Sequence, residues 1–223
     1  MNKISSFVRL DFYTLKPYKM SLLVLLALAI AMTIGFQSLT TLCFYLMMCL
    51  IMVMVYPFSI GEANRLDTLY ATLSLKRRNI VVGRYVFALC MEILAVVLAL
   101  ILSWGFSIFT TMEFIFPEIL FYLCIASFLF STIVSVQYPI YFKLGYNKAK
   151  FIAYVPLLLV FFGFMLLPNM LQNSGITQMG FDDLLKLLMT YKLVAYAVPV
   201  AVGHLLLGLS CTLSCRLYER RDI

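Results

Sequence analysis

The chain has little of what catalysis or a water-facing surface requires. One histidine, one tryptophan and ten acidic residues stand among 223, and charged residues of all kinds make up 12%. With a single imidazole, no paired acids within the apolar runs and no Ser/His/Asp or metal-ligand constellation, no catalytic set can be assembled; a non-enzymatic chain binding no cofactor of its own is expected. The phosphate-cradling pattern G-x-x-x-x-G-K-[ST] is also missing, so any ATP-driven step, with its Mg, belongs to another chain. Paired cysteine spacing in loops is absent. Cys43, Cys49, Cys90, Cys124, Cys211 and Cys215 all fall inside apolar runs, which excludes a disulfide framework or zinc site and leaves them as small packing residues. Although the net charge is +7, no basic patch interleaved with aromatics accompanies it. Nucleic acid is therefore not an expected partner, and anionic lipid head groups are the natural counter-charge.

What is present is apolar. The 64% apolar content and a mean hydropathy of +1.00 exceed what a soluble chain of this length can bury, so the composition is that of a membrane protein. Runs of roughly 17 to 25 apolar residues match a hydrocarbon layer of ~30 Å. Spans are expected at about 19–36, 40–60, 85–111, 119–141, 151–168 and 193–215, all helical because lipid offers backbone amides no other partner. The fold class is an all-α membrane protein forming one transmembrane domain over 1–223, with no room for a separate soluble domain. Pro57, Pro139, Pro156 and Pro199 lie within or at the ends of spans, where kinks are expected.

Counting Lys and Arg on alternate sides of six spans places 15 of the 17 basic residues on one side, leaving Lys186 and Lys192 opposite. The positive-inside rule makes the basic side cytoplasmic and puts both termini there. Ahead of the first run, residues 1–18 set Ile4, Phe7, Val8, Phe12 and Leu15 on roughly one side, which suits a helix lying in the interface. That charged, aromatic lead and the lack of a small-x-small cleavage pattern predict that the first run is retained. Before the last span, "FDDLLKLLM" repeats Phe181, Leu184, Leu185 and Leu188 at helical spacing, predicting a short amphipathic helix on the outer side.

Two ionisable residues fall inside spans. Glu92 lies about two turns past Arg84, where a bare carboxylate is costly, so it faces the bundle interior, water or a partner; a structural hydrogen bond and a place on a translocation path both fit. His204, near the middle of the sixth span, is either a neutral imidazole bonded to a neighbouring helix or a ligand or proton contact.

The one long polar passage, "GEANRLDTLYATLSLKRRNIVVGRY", covers residues 61–85. Leu66, Leu69, Tyr70 and Leu73 share one side of a short helix while Glu62, Arg65, Asp67 and Thr68 decorate the others, which gives either a docking helix with apolar anchors, Asn64 among its docking residues, or a solvated loop. Lys76, Arg77, Arg78 and Arg84 then mark re-entry at the head-group level.

This passage, from Pro57 to Tyr85, resembles the segment between the second and third spans of small bacterial permeases of the type-two ATP-binding-cassette exporter family. Glu62, Asp67, Arg77, Gly83, Arg84 and Tyr85 match the family pattern; Gly61 replaces the usual acid and Ser74 stands where a proline is usual. The resemblance implies a coupling helix within loop 61–84, seated in a cleft of a cytoplasmic ATPase, with Glu62 to Leu73 transmitting ATPase closure to the spans. It also implies two permease copies, or a copy and a homologue, with two ATPase chains in a bacterial cell membrane. Members of similar size export amphipathic peptides, including phenol-soluble modulins and bacteriocins, or confer self-immunity. The alternatives are a stand-alone secondary transporter or channel, with Glu92 and His204 as coupling-proton sites, and a membrane-anchored immunity or scaffold protein.

Overall fold

The computed structural model describes residues 3–66, 70, 76–110, 112–174 and 192–220. Helix α1 (Lys3–Leu15) passes through a 3₁₀ turn (Lys16–Tyr18) into α2 (Lys19–Phe36). It is followed by α3 (Leu39–Val53), α4 (Tyr56–Ala63), α5 (Arg77–Phe109), α6 (Phe116–Leu144), α7 (Tyr146–Ser174) and α8 (Lys192–Glu219). Among the described residues there is no strand. Five helical stretches are long and apolar enough to cross a membrane: Ser5–Phe36, Leu39–Ala63, Arg77–Phe109, Phe116–Leu144 and Leu193–Glu219. With 29 residues, α7 is as long as α6 and takes the place of the fifth expected crossing. The outer amphipathic helix expected at 181–188 lies outside the described residues.

Proline and glycine set the breaks. Pro57 has no N–H to offer Val53, and its ring crowds that carbonyl, so the second crossing interrupts at Met54–Val55 and restarts as α4. Pro139 sits inside α6 without ending it. The Ser135 carbonyl that it leaves unpaired instead accepts the Ser210 hydroxyl of α8 at 2.6 Å. Two boundaries differ from the sequence expectation. The third span begins at Arg77, eight residues early, because Arg77 and Arg78 are absorbed into its first turn. No loop occupies 142–150 either: α6 runs to Leu144 and α7 starts at Tyr146, leaving Gly145 as the whole connection. Its φ of 78° and ψ of 165° form a corner that other residues adopt only under strain.

In lipid, helices associate through close fit and polar contacts rather than through expulsion of water. Small residues accordingly line the contacts: Ala29, Ala88, Ala99, Ala126, Ala149 and Ala153 are almost fully buried, while Ile93, Leu94, Ile101, Leu205 and Leu209 point outward. The tightest approach joins α6 and α8, where a Cβ on Gly203 would lie 3.1 Å from Ser131 Cβ and 3.3 Å from Phe128 Cα. An aromatic cluster of Phe58, Tyr85, Tyr138, Tyr141, Phe142 and Tyr218 fills the basic end of the bundle, with Phe58 in ring contact with Tyr138, Tyr141 and Phe142.

Candidate functional site

At the basic end, α4 runs out into the polar passage, and its last turn carries Glu62. One carboxylate oxygen accepts the backbone N–H of Asn147 at 3.1 Å and the other accepts Asn147 Nδ2 at 2.9 Å. Asn147 is the second residue of α7, so Glu62 caps that helix: it satisfies a donor with no partner in the helix and sets a negative charge against the positive end of the dipole. The polar passage is thereby tied to the corner between α6 and α7.

The chain then turns sharply, with Arg65 at φ 50°, in the left-handed region. Asn64 and Arg65 are exposed, Leu66 is partly buried against the core, and Tyr70 is 6% exposed. The Tyr70 ring meets Phe7 of α1 edge-on at 5.6 Å between centroids. Tyr70 therefore faces inward, toward α1, and Leu66 and Tyr70 are both helical. Asp67, Leu69 and Leu73 lie outside the described residues.

The basic residues after the passage have separate fates. Lys76 and Arg78 are exposed. Arg77 donates to the backbone oxygens of Tyr218 and Glu219 at 3.0 and 3.1 Å, closing the carbonyl end of α8 with a positive charge. Arg84, unlike Lys76 and Arg78, is turned into the protein: it is 7% exposed, with its guanidinium 4.2 Å from the centroid of the Phe58 ring. Gly61 lies beside it: a Cβ there would be 3.1 Å from Arg84 Nη2, so the guanidinium would have to shift by a few tenths of an ångström. A cavity of about 20 Å³, space for about one water, is lined by Gly61, Glu62, Arg84 and Tyr141.

Asp11 was not singled out from the sequence. It is 4% exposed on the inner side of α1, and the charge of Arg84 acts on it. Asp11 Oδ2 and Arg84 Nη1 are both buried without a hydrogen-bond partner. The legible signal was its spacing, four residues from Phe7 and four from Leu15, on a stripe that otherwise packs inward.

Deeper in the bundle the structure brings Glu92 and His204 together. Glu92 Oε2 lies 3.5 Å from His204 Nε2, and the side chains are 4% and 39% exposed respectively. Ser127 of α6 donates to the other carboxylate oxygen. Toward the basic end, Tyr85 is within hydrogen-bond distance of the Ser210 and Ser214 hydroxyls of α8, at 2.6 and 2.8 Å. Ser127, Ser131 and Ser135 recur every four residues on α6, a polar stripe that was present in the sequence but not recognised there.

Apolar crossings gathered around buried polar contacts, a leading helix packed on α4 and α5, and a polar elbow after the second crossing define a multi-pass membrane protein of the permease class. The chain belongs to the ABC-2 family transporter proteins, whose family model matches residues 6–219. It is the membrane subunit of an ABC permease, and association with an ABC ATPase follows from that membership. No curated protein and no solved structure matches the chain.

Proposed function

We propose that the chain is the permease of an exporter in which two membrane subunits, as a homodimer or paired with a homologue, are driven by two cytoplasmic ATPase chains that bind ATP and Mg. Its cargo is an amphipathic peptide of the phenol-soluble modulin or bacteriocin kind, or a lipid-like molecule, moved outward across a bacterial cell membrane. Both termini, the elbow and the α6–α7 corner face the cytoplasm, as the distribution of Lys and Arg supports.

The observation that carries this reading is the elbow itself. It projects the exposed Asn64 and Arg65 outward while Glu62 grips α7 and Tyr70 grips α1. A push on such an element reaches helices on both sides of it. Asn64, Arg65, Asp67, Leu69 and Leu73 supply the docking surface, and Glu62 and Tyr70 pass the displacement inward. The test is co-purification with the candidate ATPase after Arg65→Glu and Leu69→Asp. ATPase binding and ATP-dependent efflux should both fall at least about tenfold, the effect of losing about 1.4 kcal/mol at an interface, while thermal stability stays unchanged. Intact assembly and efflux would overturn the docking assignment. The contact between Glu92 and His204 favours one rival, a proton-driven transporter. Efflux that needs no ATPase and disappears in Glu92→Gln would establish that reading instead.

A further inference from the structure

The intramembrane pair of Glu92 and His204 has a proton inventory that its hydrogen bonds determine. His204 Nδ1 lies 2.8 Å from the Val200 carbonyl oxygen. A carbonyl only accepts, so Nδ1 carries a proton. The other ring nitrogen, Nε2, faces Glu92 Oε2 at 3.5 Å, and that oxygen has no hydrogen-bond partner of its own. Oε1 is already engaged by Ser127.

With Nδ1 protonated, the gap between Nε2 and Oε2 holds a further proton in one of two ways: on nitrogen, as imidazolium against carboxylate, or on oxygen, as a carboxylic acid against neutral imidazole. Both arrangements are electrically neutral. Removing that proton leaves a carboxylate beside a neutral ring, and adding another leaves an imidazolium beside a neutral acid. Each of those states puts a net charge near the middle of two membrane helices, where it is expensive.

Among the described residues no charge other than His204 acts on Glu92; α1, which also packs on α5, carries Lys3, Arg9 and Asp11, and of these Asp11 acts on an α5 charge, that of Arg84. On α5 the nearest charged residue is Arg84, eight positions away. Charged residues on α6 are confined to Glu118 and Lys143, and those on α8 to Lys192, Arg216 and Glu219; α3 has none. The remaining polar groups acting on Glu92 are the hydroxyls of Ser127 and Ser131 on α6.

We propose that Glu92 and His204 form a proton-binding site that keeps one proton between α5 and α8. Gain of a second proton, or loss of the one held, loosens the contact between these helices. The site takes a proton as its ligand, and His204 is the more exposed of its two members. The proposal rests on no transport role and holds whichever energy source drives export.

His204 is the chain's one histidine, so selective ¹⁵N-histidine labelling reports on this ring alone when the full chain is purified with a histidine-free tag and placed in lipid nanodiscs. The expected spectrum shows Nδ1 protonated throughout the accessible pH range. The Nε2 resonance and its response to pH should differ between the wild type and Glu92→Gln, because the carboxylate facing that nitrogen is gone. A bare Nδ1, or a titration unchanged by Glu92→Gln, overturns the proposal.

Thermal melting gives a second readout with opposite signs. In His204→Gln the lone carboxyl must keep its proton to remain in the bilayer, so stability falls as pH rises. In Glu92→Gln the lone imidazole must stay uncharged, so stability falls as pH drops. Each shift, measured against the wild-type profile, should reach about 5 °C at the unfavourable end, and the double variant should show neither added slope. Equal slopes in the two single variants overturn the proposal. If a single variant does not fold, the wild-type ring spectrum and the double variant's profile against wild type still decide it.

Discussion

Glu62, expected from the sequence among the residues that meet the ATPase, lies in the last turn of α4, and both its oxygens are engaged with Asn147. Its charge is spent on the start of α7, which predicts a structural cost on removal. Glu62→Ala should lose about 1 kcal/mol, the usual worth of a helix cap, seen as a drop of about 2–4 °C in melting temperature for a chain of this size. Glu62→Gln, which keeps one accepting oxygen, should lose less. Arg84 gives a similar lesson. From the sequence it is one of several basic residues beside a membrane edge, and only the structure shows that this one turns inward onto Phe58, close to Gly61. Single side chains of this kind were the least legible part of the site, because their orientation depends on a partner far away in the chain.

Helices were far more legible. Every apolar run predicted to cross became a helix in the described residues, since hydrocarbon leaves the backbone no other way to satisfy its amides. The breaks at Pro57 and Gly145 depend on local chemistry, and the first could be anticipated from the proline. The second could not: a glycine between two apolar segments reads equally well as part of a loop, and only its left-handed φ shows that it is the whole connection. Nor did the sequence identify which helices pack most closely. The contact of α6 with α8 depends on Gly203, and it makes a prediction at this scale. Gly203→Val should wedge the pair apart, costing about 1–3 kcal/mol, the range for overpacking, and lowering the melting temperature of the full chain in nanodiscs by several degrees. Because α8 also carries His204, the same variant should weaken the influence of Glu92 on the histidine's titration. An unchanged melting temperature would show that the two helices have slack.

At the scale of the whole molecule, the basic end and its opposite are chemically distinct. The end carrying Lys76, Arg78, Lys143, Lys148 and Arg216 should face the cytoplasm, and the turn near Glu113 should face out. In a background with all six native cysteines replaced, a membrane-impermeant thiol reagent added to intact cells should label Glu113→Cys. It should reach Arg78→Cys only after the membrane is opened. The reverse pattern would put the elbow on the wrong side for any ATPase. If the elbow does receive a push from below, the corner at Gly145 governs how the bundle responds. One residue stores no spare chain, and Glu62 clasps the helix just beyond it. The joint therefore behaves like a bell crank with little backlash: a sideways nudge at the elbow should swing α6 and α7 together rather than one at a time.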